Sequence, residues 1–309
     1  MRVWAALGAI YLIWGSTYLA IRLMVETMPP ALGAGARFVL AGSAMLGFLA
    51  VRGGGLARVR VTRSQLLWCA VVGSLLAAGG NGLVTIAERD VPSGLAALLI
   101  ASEPLWIVLM RSTTGDRVPG ATVGGVALGF VGVGILLLPG GRPDDVPIGM
   151  ALLILLAAAS WALGSFISPR VDLPKDPLSS TAWSLGIGGL VLVIAGAAAG
   201  EGADVDFGAF SGRSIAAFAY LVVVGSVVAF SCYAWLLANA PISQVSTYAY
   251  VNPAIAVILG SVFLAEEVTA VTVAGMALVI ASVAVIVRRE ASELHEKTES
   301  ATVRVSSRN

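Results

Sequence analysis

Residues 93–110 read SGLAALLIASEPLWIVLM, and residues 245–263 read VSTYAYVNPAIAVILGSVF. Each is an apolar run with one proline near its middle and one polar residue just before it: Glu103 ahead of Pro104, Asn252 ahead of Pro253. A helix that crosses a hydrocarbon layer of about 30 Å needs such a run, whereas a soluble helix breaks it with a polar face. The two stretches lie 149 residues apart, and other pairs recur at nearly the same distance. Trp14 falls on Trp161, Gly115-Asp116-Arg117-Val118 on Ala265-Glu266-Glu267-Val268, and Gly125 on Gly275. The chain is therefore read as two copies of one unit.

Working outward, apolar runs between charged or Pro/Gly-rich breaks give ten spans, near 3–25, 31–51, 65–87, 93–110, 120–138, 148–167, 178–199, 215–237, 245–263 and 270–287. Five spans per copy is an odd number, so the second copy enters the membrane from the opposite side. The fold expected is an all-α integral membrane protein, ten transmembrane helices as two inverted five-helix repeats, 1–140 and 147–288. Composition agrees: 58% of residues are hydrophobic and 12% charged, against roughly 25% charged in an ordinary soluble domain. Short connections leave no room for a soluble catalytic domain, and the polar segment 289–309 reads as a disordered tail.

Lys and Arg in alternate connections set the orientation. Arg2, Arg52, Arg58, Arg60, Arg63, Arg111, Arg117, Arg170, Lys175, Arg288 and Arg289 fall on one side; Arg89, Arg142 and Arg213 fall on the other. Eleven against three places both termini in the cytoplasm of a cell whose inner membrane holds the chain. The first run follows Arg2 without an A-x-A-like cleavage site, so it is expected to be retained as a span. Cys69 and Cys232 stand inside apolar runs without metal-ligand spacing, and His295 lies in the tail; no metal, cofactor or nucleic-acid partner is expected.

Leu12-Ile13-Trp14-Gly15-Ser16-Thr17, Arg37-Phe38, Tyr250-Val251-Asn252-Pro253 and Glu266 together resemble EamA-type members of the drug/metabolite transporter superfamily, over the whole chain and both repeats. The resemblance implies ten helices, a central cavity lined by helices 1 to 4 and 6 to 9, peripheral helices 5 and 10, and often export of amino acids or other metabolites. One departure stands in the first repeat, where Asp116 sits in a Gly-Asp-Arg version of the acidic signature after Arg111-Ser112-Thr113-Thr114. The cytoplasmic end of helix 4 is expected to pack differently on that account.

Prolines in matching spans point to a transporter's binding site, because each removes an N–H and crowds the carbonyl four residues earlier. Pro104 and Pro253 are expected to kink helices 4 and 9, either to line a wet cavity or simply to pack. Glu103 is the one carboxylate well inside a span, and a charge there is costly unless paired, hydrated or protonated. Arg37 enters helix 2 from the same side at a depth about 6 Å different, within reach of its side chain. The two are read either as an ion pair or as functional groups, Arg37 holding a substrate carboxylate and Glu103 taking up a driving proton. Helix 3 carries Ser74, Asn81, Thr85 and Glu88 on one polar stripe, and helix 1 carries Tyr11, Trp14, Tyr18 and Arg22 on another. Aromatics near a span end also serve as interface anchors, which competes with a binding role for Tyr18 and less for mid-span Trp14. Tyr248 and Asn252 share a face of helix 9, from which Tyr250 points away. The candidate substrate-binding residues are Trp14, Tyr18, Arg37, Asn81, Thr85, Glu103, Trp161, Tyr248 and Asn252.

These features favour a secondary transporter for small solutes embedded in the lipid bilayer. A multispan membrane enzyme acting on lipid-linked substrates would need a His or Cys cluster or paired carboxylates, and a channel a filter-like segment; the sequence offers neither, so no enzyme is expected. Without a P-loop, the drive is expected to be a proton or solute gradient. Small residues in helix 5 (Gly120, Gly124, Gly125, Gly129, Gly132, Gly134) and in helix 10 read equally as scaffold packing or as a homodimer surface.

Overall fold

The computed structural model describes residues 2–52, 55–115, 120–138, 143, 146–203, 205–240, 242–245 and 247–306, with side chains to residue 289 except at 238, 242 and 243. Its ten principal helices are α1 (Arg2–Met24), α2 (Pro30–Val51), α3 (Arg63–Ala87), α4 (Ser93–Thr113), α5 (Gly120–Leu137), α6 (Ile148–Arg170), α7 (Pro177–Ala198), α8 (Gly212–Leu237), α9 (Tyr248–Leu264) and α10 (Ala270–Ser306). Among the described residues nine helices are long and apolar enough to cross a bilayer; α9 is shorter and follows a single turn at Ile242–Val245. Large apolar side chains such as Leu12, Leu67, Ile194 and Phe263 face outward, as a lipid-bathed surface requires. The side on which α1 begins is called here the N-terminal side, and the opposite one the far side.

Helix α10 continues in helical backbone to Ser306, where composition predicted disorder from residue 289. The segment 290–306 has neither Gly nor Pro to break a helix, and its four glutamates and two alanines favour one. The expected departure at Asp116 and Arg117 lies outside the described residues.

The repeats exchange their first helices. Helix α1 packs on α8 and α9 of the second repeat, while α6 packs on α3 and α4 of the first, giving two three-helix bundles. Two further pairs bracket them, α2 against α7 and α5 against α10. The α5–α10 seam accounts for Gly125, Gly129 and Gly132: Ser282 Oγ donates to the Gly125 carbonyl at 2.6 Å, and a Cβ on Gly132 would stand 3.0 Å from the Gly275 carbonyl oxygen. Gly120, Gly124 and Gly134 have open space instead.

Glycine also sets the innermost crossing. A Cβ on Gly73 of α3 would lie 2.0 Å from the Ser184 carbonyl oxygen of α7, and one on Gly188 would lie 2.2 Å from the Gly73 carbonyl oxygen. Backbone meets backbone there, as lipid-embedded helices do through small residues. On the N-terminal side Asp176 caps α7 through the Ser179 N–H at 2.9 Å and pairs with Arg58. Burial pushes the Asp176 carboxyl up, but Arg58 and the N–H groups of Ser179 and Leu178 outweigh it and hold it below the usual carboxylate range.

Three helices depart from α geometry near their middles. Helix α3 widens to a π-helix over Ser74–Gly82 and α8 over Val223–Val228, equivalent positions of the two repeats. Helix α4 is interrupted at Ala101–Ser102, so that Glu103 and Pro104 open its second segment and the missing proline N–H falls in a first turn, where it costs little. Helix α9 instead runs unbroken across Pro253.

The α3–α7 crossing yields a prediction. No flexible side chain can yield to a new methyl at Gly73, so Gly73→Val exceeds the ~1–3 kcal/mol of an ordinary overpacked site. The detergent-solubilised variant should lose melting temperature or its monodisperse elution peak, whereas Gly47→Ala, with nothing within 4 Å, should melt like wild type. Equal melting of Gly73→Val and wild type would show that the helices can slide apart.

Candidate functional site

Between the two bundles lies a cavity of about 100 Å³, lined from seven helices. Helix α1 contributes Trp14, Thr17, Tyr18 and Ile21; α2 contributes Arg37; α3 contributes Gly80, Asn81 and Val84; α4 contributes Ile100 and Glu103. Helices α6, α8 and α9 add Trp161, Phe230, and Tyr248 with Asn252. The expected lining by helix 7 is absent among these residues, because α7 is committed to α2 and α3.

Each wall has a local cause. The π-turns at Ser74–Gly82 leave Leu75 accepting from Ser160 Oγ at 2.8 Å, which brings α6 close. A Cβ on Gly80 would stand 2.7 Å from the Trp161 ring, so only glycine lets that indole lie flat against α3. Opposite it, Trp14 sits with ring centroids 5.5 Å from Phe230, 5.2 Å from Tyr233 and 5.1 Å from Tyr248, which fixes an aromatic floor within the α1–α8–α9 bundle. Tyr11 bonds Thr247 below that floor.

Two buried polar atoms at this cavity lack a partner among the described residues, and a half-buried carboxyl stands unpaired with them. Arg37 is 2% exposed; its Nε donates to Ser226 Oγ at 2.9 Å, yet Nη1 is buried with no acceptor. Asn252 Oδ1 is buried with no donor. Glu103 forms no ion pair within 4.0 Å and no hydrogen bond among the described residues, so the Arg37–Glu103 pair that depth alone allowed is not made. Buried polar groups are ordinarily bonded, and two exceptions at one cavity, with a half-buried carboxyl beside them, mark a place built for something polar. A donor that is always charged, an amide oxygen and a carboxyl can between them hold a carboxylate and an ammonium group.

The structure thus brings together at one cavity Trp14, Tyr18, Arg37, Asn81, Glu103, Trp161, Tyr248 and Asn252. Thr85 stands apart: fully buried, it returns its hydroxyl to the Asn81 carbonyl at 2.8 Å. Sequence reasoning passed over Ser226, which orients Arg37 from the π-segment of α8, and the apolar walls Ile21, Val84, Ile100 and Phe230. A lone serine or an apolar side chain in an apolar helix carries no signal of its own.

Access is uneven. The first segment of α4, Ser93–Ile100, packs against α1 and α9 and is almost wholly buried, joining the bundles on the far side. Glu266, after α9, caps it by accepting from the Ser93 and Gly94 N–H groups at 2.7 and 2.9 Å, and Arg22 of α1 reaches the carbonyls of Glu88 and Arg89. The second segment of α4 packs chiefly on α6, so α4 joins the two bundles through its far-side segment.

A family model described as the EamA-like transporter family matches residues 3–138 and again 148–288. Over 262 residues, 84% of this chain and 82% of the other, the sequence is 40% identical to YedA of Escherichia coli (strain K12), described as an uncharacterized inner membrane transporter. It is 24% identical over 285 residues, 88% of this chain and 90% of the relative, to a probable amino-acid metabolite efflux pump of Salmonella typhimurium. A solved crystal structure shares the fold at a TM-score of 0.62 and 21% identity, over 92% of this chain and 96% of that one.

The separation of Arg37 from Glu103 is open to a double-mutant cycle. Arg37→Met and Glu103→Gln should shift thermal stability additively, within about 0.5 kcal/mol. A contact pair would instead show the second change rescuing the first.

Proposed function

Because the chain belongs to the EamA-like transporter family, we propose that it is a secondary-active exporter of zwitterionic metabolites, amino acids foremost, driven by a proton gradient across the inner membrane. Multi-pass membrane residence and transport come with the family; substrate class, coupling and orientation are the proposal. The observation that carries it is the convergence of the unpartnered Arg37 Nη1, the unpartnered Asn252 Oδ1 and the unpaired Glu103 at one mid-membrane cavity with aromatic walls.

In this reading Arg37 receives the substrate carboxylate, held in aim by Ser226, and Asn252 accepts from the substrate ammonium. The aromatic floor of Trp14 and Tyr248 and the opposing Trp161 take the apolar side chain. Glu103 faces the same space and binds either the ammonium or a proton. One carboxyl that cannot hold both exchanges substrate for proton, which couples efflux to proton entry. With the N-terminal side in the cytoplasm, as the arginine bias favours, the far-side closure leaves the cavity to open towards the compartment from which an exporter loads. The π-segments of α3 and α8 and the break in α4 are where the two bundles would bend against each other.

Proteoliposomes under an imposed pH gradient, given a panel of labelled amino acids and comparison solutes, test this directly. Wild type should move at least one zwitterion with the gradient. Glu103→Gln should retain exchange of substrate across the membrane but lose its acceleration by the gradient, and Arg37→Met should weaken binding by the ~1.5–3 kcal/mol of a charge-assisted hydrogen bond. Gradient-driven transport unchanged in Glu103→Gln would remove Glu103 from coupling, and movement of no solute under any gradient would overturn the reading.

A further inference from the structure

Glu88 is the buried acid that the cavity does not use. It follows the last residue of α3 on the far side, has no exposed surface, and neither carboxyl oxygen has a hydrogen-bond partner. The charged and titratable groups facing it are Arg22 and Tyr18 of α1, Arg37 of α2, and Glu266 after α9; α6, which also packs on the last segment of α3, brings no charged residue over Ile148–Ile167. None engages the carboxyl. Arg22 directs Nη1 to the backbone carbonyls of Glu88 and Arg89, Arg37 directs Nε to Ser226, and Glu266 is turned to the Ser93 and Gly94 N–H groups.

Two of these neighbours, Arg22 and Glu266, belong to the far-side closure, while Tyr18 and Arg37 also line the cavity. Arg22 and Glu266 are the two side chains that tie the α1–α8–α9 side of the molecule to the α3–α4 turn, and Glu88 stands between them with a second carboxyl opposite. Burying an ionised carboxylate that no side chain engages costs far more than burying a neutral acid, and the Glu266 carboxyl adds to that cost; together they outweigh the pull of the Arg22 and Arg37 guanidiniums. Parting the bundles withdraws Arg22 and leaves Glu88 at a surface turn, where water solvates the ionised form.

We propose that Glu88 is the proton-binding site of the far-side closure: one proton from solution adds to a carboxyl oxygen as the bundles close on it, and returns to solution when they part. Acid then favours the closed form by the same factor by which closure favours protonation. The inference rests on the transporter reading only in requiring that the two bundles move. It names no substrate, and it assigns Glu88 a task separate from that of Glu103.

The test is a distance measurement by double electron–electron resonance on the full chain in nanodiscs. Spin labels go on Glu26→Cys, beyond α1, and Asp90→Cys, beyond α3, both exposed far-side positions, in a Cys69→Ala and Cys232→Ser background. Between about pH 5.5 and about pH 8.5 the wild-type ratio of short to long distances should fall by up to ~10-fold per pH unit over part of the range. Glu88→Gln, neutral at every pH, should stay short throughout, while Glu103→Gln should keep the wild-type response. A wild-type ratio that does not change with pH overturns the proposal without any variant. So does a Glu88→Gln curve that follows wild type, or a response lost in Glu103→Gln. If Glu88→Gln does not fold, Glu88→Asp serves: it should keep the response with a displaced midpoint, and an unmoved midpoint counts against Glu88. Because no substrate is present, failure here leaves the zwitterion reading standing, and absence of transport beside a pH-driven distance change counts against that reading alone.

Discussion

Where α3 crosses α7, the Gly73 carbonyl occupies the place that a Cβ on Gly188 would need, and the Ser184 carbonyl does the same to Gly73. In lipid there is no hydrophobic gain from pressing two helices together, so contact this close has to come from dispersion between bare backbones. That contact holds α7 against α3 while Gly35, Gly42, Gly186 and Gly189 hold it against α2. With α7 pinned to both, α2 and α3 are placed relative to each other, and so are Arg37 and Asn81, which they carry into the cavity. A single volume-adding change at the crossing would displace residues of the site that it never touches.

Much of the architecture is written in hydropathy. Run length, the arginine bias and the recurrence of Glu103-Pro104 as Asn252-Pro253 specify ten spans in inverted halves without reference to any contact. Which helices meet is not written there. A polar stripe says that α1 has a wet face but not that the face turns towards α8 and α9 of the other repeat. In the tail, composition reports a lack of apolar burial and says nothing of local backbone conformation, which runs on as helix to Ser306.

The site was legible to the degree that its helices are regular. Trp14 and Tyr18 on α1, and Tyr248 and Asn252 on α9, follow a 3.6-residue period and reach the cavity together. The stripe on α3 fails, because Ser74, Thr85 and Glu88 do not line it although Asn81 does. The π-turns between Ser74 and Gly82 close their hydrogen bonds one residue later than an α-helix, which rotates everything beyond them off the assumed face. Thr85 turns back to its own helix, and Glu88 turns into the closure on the far side. Proline, easily seen in sequence, acted unequally: ahead of Pro104 the helix breaks, while across Pro253 it continues.

The exchange of first helices also constrains how the molecule comes into being. Helix α1 leaves the ribosome well before its packing partners α8 and α9. At ~5–20 residues per second, the more than two hundred residues between Met24 and Tyr248 take on the order of 10–45 s to make. Through that interval α1 holds Tyr11, Ser16 and Arg22 in the membrane without Thr247, Tyr220 or the α3–α4 turn all in place to receive them. Neither repeat can finish before the other, so a chain halted after its fifth helix is an intermediate with an unpaired first span and not half of a transporter.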